Sequence, residues 1–160
     1  MSFQLSLSTE SVMAAYPDDP LIVAPDATVS DVLQLMRAQQ TGCVLVCSAG
    51  KMLGIFTDRD ALRWMAKQTD NGSNGSAKQP ISELMTREPT SLLASTSVGE
   101  AIQLMSAGRY RHLPIIGTNG MPSGMANVHG IVHYLVDHFP QTIYNLPPQP
   151  DMAQAEREGA

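Results

Sequence analysis

Two polar residues, Thr57 and Asp60, stand where an apolar segment ends and a stretch of helical periodicity begins. A hydroxyl at such a junction can cap the helix by accepting a bond from a backbone N–H group. A carboxylate three residues further on lies at the same helix end, where it can accept the protons of two neighbouring hydroxyl groups at once. The pair therefore predicts either a mouth that binds a vicinal diol or a capping device without a ligand.

Histidines and cysteines are further candidates for chemistry. His129 and His133 are four residues apart on a predicted helix that also carries His138. They could bind a metal ion, but the third ligand would have to be Asp137, which faces differently, so packed or solvated histidines are the favoured interpretation. The cysteines at positions 43 and 47 lie about 13 Å apart in strand geometry, too far for a disulfide, which predicts reduced thiols.

Composition excludes several classes of function. The chain has 160 residues, 43% of them hydrophobic, and a net charge of −5 with no run of Lys or Arg. Because nucleic-acid binders usually carry a basic face, DNA, RNA and anionic membranes are poor candidates as partners. No nucleophile elbow and no Gly-rich phosphate loop with Lys is present in the sequence, and we expect no enzyme. We also expect no secretory signal and no membrane span.

An internal repeat organises the chain. Shifting the sequence by 69 residues places Pro20 on Pro89, and one extra residue in the second copy then brings Gly54 onto Gly124. The apolar pattern holds over about fifty positions, and a fixed period of this kind marks a repeated structural unit.

Each copy shows the same order of elements. A short apolar piece is followed by Thr28 or Ser97, good helix N-caps with an acidic residue three positions on. A helix, two strands separated by turn residues and a second helix follow. The sequence therefore predicts an α/β (α+β) fold of two tandem β-α-β-β-α repeats, packed through their sheets with pseudo-two-fold symmetry and with the helices outside.

Domain boundaries follow from composition. Repeat 1 is predicted at residues 10–68 and repeat 2 at residues 80–139. The segment 69–79 is rich in Asn, Gly and Ser, which is typical of a flexible linker. Residues 140–160 contain four prolines and a polar end, which predicts an extended and then disordered tail. Alternating apolar residues at positions 3–7 predict a short N-terminal edge strand.

Two sequence segments carry a resemblance to a known family. Residues 54–60 read GIFTDRD after a predicted strand, with PDATVSDVLQLM upstream, and in the second copy ISELMTREPTSLLASTSVGEAIQLM precedes RYRHLPII. Both copies resemble the CBS domain, named for cystathionine β-synthase. The resemblance covers residues 10–139, and two copies in tandem resemble the compact CBS pair often called a Bateman module.

The resemblance implies an adenosine-containing ligand between the repeats. Thr57 and Asp60 match the family motif that holds ribose, in which the base packs beside the first short strand. The phosphate is met by basic residues at the start of the facing repeat's second strand. The implied base contacts are Ile22, Val23 and Pro25, and the implied phosphate contacts are Arg109, Arg111 and His112, with Arg59 as a further one. Surface arginines paired with Glu100 or Asp58, and a partly buried packing histidine, are the alternatives.

The second copy departs from the ribose motif. Asn127 stands where Thr57 does, and Gly130 stands where Asp60 does. Glycine has no side chain to receive a diol, and within a helix it costs about 1 kcal/mol relative to alanine. We therefore expect the second cleft to hold no ribose, and one ligand to bind per chain.

These observations predict a regulatory module of the cytoplasm, not an enzyme, without a catalytic cofactor. It would sense AMP, ADP, ATP or S-adenosylmethionine and act on an unidentified partner protein. A homodimer is expected through amphipathic helices near Met13, residues 61–65, Met85 and residues 131–135. The alternatives are a structural dimerisation module with vestigial sites and a metal-responsive module that uses the histidine-bearing helix.

Overall fold

The computed structural model describes residues 3–70 and 76–144, with side chains for residues 6–69 and 76–144. Within these ranges the chain forms two sheets with helices packed against them. Most of the predicted linker and the end of the predicted tail lie outside the described residues.

The strands form two sheets that are related by the sequence repeat. In each sheet the first strand runs parallel to the second, and the second is antiparallel to the third. The first sheet holds, in spatial order, β1 (Ile22–Val23), β2 (Cys43–Ser48), β3 (Lys51–Thr57) and β4 (Thr86–Arg87), and the second holds β5 (Leu92–Leu93), β6 (His112–Ile116) and β7 (Pro122–Asn127).

The helices begin where the sequence places capping residues. Thr28 accepts the N–H of Asp31, and Ser97 forms a complete reciprocal capping box with Glu100, so both first helices of the repeats start as predicted. The α-helices are α1 (Phe3–Thr9), α2 (Val29–Gln39), α3 (Asp58–Asp70), α4 (Val98–Gly108), α5 (Val128–His138) and α6 (Pro140–Tyr144), and two short 3-10 helices span Val12–Ala14 and Ile81–Glu83.

The sheets of the two repeats face each other. Met125 of β7 is buried in one cluster with Cys43, Leu45 and Ile55 of the first sheet. Removing such apolar side chains from water stabilises the pair by about 25 cal/mol per Å² of apolar surface. The predicted fold class, with repeats joined through their sheets, is therefore confirmed.

The repeats exchange the segments that precede their first strands. Val12 and Ala15 are buried in the core of the second repeat, beside Tyr134 of α5. In return, Ile81 and Met85 are buried in the core of the first repeat. The strand that follows the second of these segments, β4, pairs with β3 of the first sheet. Each core is thus completed by residues from the other half of the chain.

The N-terminal segment is a helix, so the prediction of an edge strand there is wrong. The backbone N–H of Glu10 donates to the carbonyl of Ser6, and α1 packs on α4. Gly99 of α4 makes this close approach possible, because a Cβ atom at that position would lie 3.1 Å from the carbonyl oxygen of Leu7. Helix packing overrides the local alternation of apolar residues.

Two segments expected to be irregular are ordered where they are described. Helix α3 extends to Asp70, and beyond the undescribed stretch the carbonyls of Ala77 and Gln79 accept N–H groups from Ser30 and Val29. These bonds attach the segment to the start of α2. The beginning of the tail forms α6 instead of an extended chain, because the N–H of Ile143 continues the helical pattern to the carbonyl of Phe139.

Candidate functional site

A cavity of about 370 Å³ lies between the two repeats. One side is formed by the end of β3 and the first turn of α3, and the other by residues 86–90 and residues 110–114. Its size falls at the lower end of the range for small-molecule sites, roughly 300–1,000 Å³. Because both repeats line it, any ligand placed there contacts both halves of the chain.

Thr57 and Asp60 form a reciprocal capping box at the mouth of this cavity. The backbone N–H and the hydroxyl of Thr57 both donate to Oδ2 of Asp60 at 3.0 Å, and the N–H of Asp60 donates to the Thr57 hydroxyl at 3.3 Å. The second carboxylate oxygen, Oδ1, lies 3.4 Å from the guanidinium of Arg63. The capping role is therefore present, and Oδ1 is the less constrained acceptor.

The first backbone N–H groups of α3 already have acceptors within the protein. The N–H of Asp58 donates to the carbonyl of Gly42 at 2.8 Å, and the N–H of Arg59 donates to the Asp58 carboxylate at 2.9 Å. Since the next N–H is held by Thr57, an anion in this cavity would be bound by side chains and not by the helix terminus.

Two of the predicted arginines line the cavity, and one does not. The Arg111 guanidinium forms an ion pair with Asp58 at 2.6 Å, which agrees with the alternative of a paired charge. The Arg59 guanidinium donates to the backbone carbonyl of Arg109 at 3.2 Å. Arg109 itself ends α4 in a left-handed conformation, and its side chain is not among the lining groups.

His112 lies on the wall of the cavity, half-buried at the start of β6. Burial lowers the pKa of its imidazole, and the neighbouring Arg111 acts in the same direction, whereas Asp58 and Asp18 act against it. The ring is therefore neutral at pH 7. It can gain a positive charge when an anion comes close, because an added negative charge favours the protonated form.

The structure does not bring Ile22, Val23 and Pro25 to this cavity. Strand β1 pairs with the edge of β2, on the far side of the sheet from β3, whose end marks the site. The neighbour of β3 is β4, because the repeats have exchanged their leading segments. The wall expected from β1 is formed instead by residues 86–90, which begin with β4 and precede β5, the counterpart of β1 in the second repeat.

Several lining residues were missed by the sequence analysis. Tyr110 shares a hydrogen bond with Thr90 at 3.1 Å between their hydroxyl oxygens, and its ring occupies the space beside Gly108. Glu88 adds a carboxylate that no motif indicates. Applying the shift of 69 residues to the base-contacting segment gives residues 91–94, which follow the true wall directly but do not line the cavity.

At the equivalent position of the second repeat, backbone atoms lie where a side chain of residue 130 would be. The buried Asn127 caps α5 by accepting the N–H of Gly130 at 2.7 Å, and its amide donates to Asp18 at 2.7 Å. A Cβ atom on Gly130 would lie 2.6 Å from the carbonyl oxygens of both Ala15 and Tyr16. The segment exchanged from the first repeat occupies the place that the Asp60 side chain has in the other half.

The histidines of α5 pack against tyrosines. The His133 ring stacks on Tyr16 with centroids 4.4 Å apart and lies 3.4 Å from Asp137, and His138 stacks on Tyr134. Among the described residues no group of three or more His, Cys, Asp or Glu side chains is arranged to hold a metal ion. These contacts agree with the packing interpretation of the histidines.

The cysteines are free thiols. Cys43 is buried, and burial raises its pKa to about 11, which keeps the thiol protonated. Residues 3–70 and 76–144 contain no helix with the length and apolar character needed to cross a membrane.

The CBS domain family matches residues 10–67 and 81–137. Among curated relatives, the CBS domain-containing protein YhcV of Bacillus subtilis (strain 168) is 34% identical over 100 residues, covering 62% of this chain and 67% of the relative. The CBS domain-containing protein CBSCBSPB1 of Arabidopsis thaliana is 30% identical over 136 residues, which are 84% of this chain but 23% of that longer protein.

Solved structures agree with these matches. The CBS-domain containing protein ATU1752 from Agrobacterium tumefaciens has a TM-score of 0.65 and 27% identity, covering 76% of this chain and 93% of the other. The structure of CBSX2 in complex with AMP has a TM-score of 0.69 and 20% identity, covering 80% and 97%. With its two matched repeats, this chain belongs to the CBS domain family as a tandem CBS pair.

Proposed function

We propose that this chain is a regulatory module that binds an adenosine-containing ligand in the cavity between its repeats. Binding of this ligand regulates a partner protein. The observation that carries the proposal is the cavity itself, which is lined by both repeats and has the Thr57–Asp60 pair at its mouth. The fold neighbour CBSX2, which was crystallised with AMP, supports the same ligand class.

The lining residues suit the parts of a nucleotide. The Asp60 carboxylate can accept the two ribose hydroxyls, each in a charge-assisted bond of about 1.5–3 kcal/mol. Apolar and aromatic side chains such as Ile55, Pro89 and Tyr110 offer contact to a flat base. Arg59, Arg63 and Arg111 line the cavity and offer positive charge to a phosphate.

Regulation follows from the position of the cavity. A ligand that contacts the first turn of α3 and residues 110–114 at once favours the arrangement of the two repeats in which both contacts are made. The proposed role is regulatory and not catalytic, with no catalytic cofactor. A reducing compartment such as the cytoplasm is supported by the two free thiols.

We also propose that two copies associate through exposed apolar helix surface. Leu62, Met65 and Val132 are 62%, 46% and 51% exposed, and Met13 is 39% exposed. Surface of this kind on a small module is typical of an interface, and symmetric dimers are the commonest assemblies. By contrast, the expected interface residues Ala61, Met85 and Ile131 are buried in the chain's own cores, as is Tyr134.

Sedimentation of the wild type and of Leu62→Glu tests the dimer. We expect the wild type to sediment at twice the 17.2 kDa chain mass at micromolar concentration and the variant to sediment as a monomer. Leu104→Glu, at an exposed position of α4, is the matched control and should remain a dimer. A wild-type monomer would refute this part of the proposal.

Thermal unfolding with a ligand panel tests the function. Adenosine, AMP, ADP, ATP, S-adenosylmethionine and divalent metal ions are each titrated against the full chain. A ligand that binds the folded state raises its stability by RT ln(1 + [L]/Kd), so a saturable rise in Tm that is lost in Asp60→Ala supports the proposal. No rise with any adenosine compound would favour a structural dimerisation module, in which Asp60 serves the capping box alone.

A further inference from the structure

Residues 76–90, here called the strap, run from the start of α2 to the cavity. At one end the Gln79 carbonyl accepts the N–H of Val29 at 2.9 Å, and Ile81 is buried in the core of the first repeat. At the other end the strap contains β4, and residues 86–90 form a wall of the cavity. The position of this wall therefore depends on how the strap is attached to the first repeat.

Trp64 of α3 joins the strap to the helix that carries Asp60. The two residues are four positions apart, so they lie on the same face of α3, one turn from each other. The indole N–H of Trp64 donates to Oε1 of Gln79 at 3.4 Å, and the Gln79 amide donates to Glu83 at 2.9 Å. An indole–amide bond that lies outside the cavity therefore connects the two elements that border it, α3 and the strap.

The sequence repeat supplies an equivalent contact in the other half of the chain. A shift of 69 residues places Glu10 on Gln79, a shift of 70 places Trp64 on Tyr134, and the Tyr134 hydroxyl donates to the Glu10 carboxylate. Tyr134 is completely buried and its bond has a carboxylate acceptor, whereas Trp64 is half-buried and its bond joins two neutral groups. Charge-assisted bonds are about twice as strong as neutral ones. The attachment is therefore weaker at the cleft that holds the cavity.

Building on the proposed function, we propose that attachment of the strap is coupled to occupation of the cavity, with Trp64 as the positioning residue that sets the wall 86–90 against Asp60. A ligand that contacts both the first turn of α3 and the wall favours the attached strap, and by linkage the attached strap favours the ligand to the same extent. A change that lowers the population of the attached state lowers the apparent affinity in proportion. The effect of the ligand thus reaches residues 76–83, which do not line the cavity.

Hydrogen exchange of the full chain, with AMP as the probe, tests the coupling. The backbone N–H groups of Ile81 and Ser82 donate to carbonyls of the first repeat, and we expect saturating AMP to slow their exchange about tenfold, a factor typical of coupled sites. Trp64→Phe keeps an aromatic ring but removes the N–H donor. It should speed this exchange and weaken AMP binding about threefold to tenfold in isothermal titration. Unchanged exchange of both N–H groups at saturating AMP would overturn the inference.

Tyr134→Phe is the matched control, because it removes the equivalent donor at the cleft that lacks the carboxylate. It should lower the free energy of unfolding more than Trp64→Phe does, since the bond it removes is the stronger one, and it should leave the affinity for AMP unchanged. A purely structural role of Trp64 predicts instead that affinity follows stability in both variants. Equal affinity of the Trp64→Phe protein and the wild type would also contradict the assignment.

The outcomes separate this inference from the proposed function. If AMP binds but neither slows exchange in the strap nor responds to Trp64→Phe, the ligand-binding function stands and the coupling is wrong. If neither AMP nor any other adenosine compound binds, the proposed function fails and the coupling fails with it.

Discussion

The two clefts of the molecule are built on equivalent elements, but they differ in the groups at the start of the helix. In the first, the Thr57–Asp60 capping box borders a cavity lined by charged side chains. In the second, Asn127 caps the helix without a carboxylate, and the backbone carbonyls of Ala15 and Tyr16 lie against Gly130. Three residues after the cap, the first cleft carries a carboxylate, whereas the second carries no side chain and is packed against the chain's own backbone.

The comparison teaches how a repeat protein can lose the carboxylate of one of two equivalent sites. A residue without a Cβ atom permits another backbone to approach to a distance that any side chain would forbid. The segment that approaches Gly130 is also held by side-chain bonds: Asn127 donates to Asp18, and the Tyr16 hydroxyl donates to Asp137 at 2.8 Å.

Gly130→Asp, in the second cleft, should have the largest effect on stability. The new Cβ atom would meet two backbone oxygens at 2.6 Å, and the carboxylate would lie close to these carbonyl groups. Overpacking and an unpaired charge together should lower the free energy of unfolding by about 3 kcal/mol, measured by urea denaturation.

Gly124→Ala is the control for this experiment. It lies in β7 of the same repeat, and its Cβ atom would meet neighbours at an ordinary 3.5 Å, so the loss should stay below about 1 kcal/mol. A Gly130→Asp protein as stable as the wild type would show that the backbone does not pack against residue 130 as described.

Asp60→Ala tests the first cleft, which contains the carboxylate. If the two carboxylate–ribose bonds are worth about 1.5–3 kcal/mol each, nucleotide affinity should fall at least about 100-fold in isothermal titration. The variant also loses the capping box, at a cost of about 0.5–2 kcal/mol in stability.

Glu100→Ala is the matched control for Asp60→Ala. It removes the same capping device from α4, where Ser97 and Glu100 form an equivalent box that does not line the cavity. We expect a similar loss of stability with unchanged affinity. Equal nucleotide affinity of the Asp60→Ala protein and the wild type would show that Asp60 does not bind the ligand.

The number of ligands per chain tests the asymmetry directly. Because the second cleft has no carboxylate at position 130 and no room for one, titration of the wild type with AMP should end at one nucleotide per chain. Two equivalent sites per chain would mean that binding does not need this carboxylate, and the contrast between the clefts would not hold.

The smallest predicted effect concerns His112, whose backbone pairs with Asn127 across the second sheet. Burial holds the pKa of its imidazole below the ordinary 6.5, so the unfolded chain binds this proton more readily. The stability that depends on the neutral ring is present above pH 6.5 and is lost as the pH falls through the lower folded-state pKa. His112→Gln should therefore make the dependence of unfolding free energy on pH shallower in this range.

His129→Gln, at an exposed position of α5, is the control for the pH experiment and should keep the wild-type profile. If His112→Gln also keeps the wild-type pH profile, the His112 ring does not contribute to the pH dependence of stability.

Features set by neighbouring residues were predictable from the sequence. The caps at Thr28 and Ser97, the order of strands and helices, and the helix start at Thr57 all depend on residues a few positions apart. The sequence also shows that position 130 carries no carboxylate. It does not show that the backbone of Ala15 and Tyr16 lies against this position.

Features set by the packing of distant segments were not predictable in this way. The exchange of leading segments depends on which core receives Val12 and which receives Ile81, and both positions look alike as apolar residues of short turns. This choice moved the cavity wall from Ile22 and Val23 to the segment that follows β4. A local pattern cannot distinguish the two possibilities, because it carries no information about which surface an apolar side chain will meet.

The exchange also determines when the protein can fold during its synthesis. The Tyr134 hydroxyl donates to Glu10 across 124 positions of the sequence, and the core around Val12 needs residues of α5. The first repeat in turn lacks Ile81 and Met85 until they have left the ribosome. Since contacts between distant residues slow folding, neither repeat can complete its core as a nascent unit, and the chain reaches its stable form only after nearly all of it has been made.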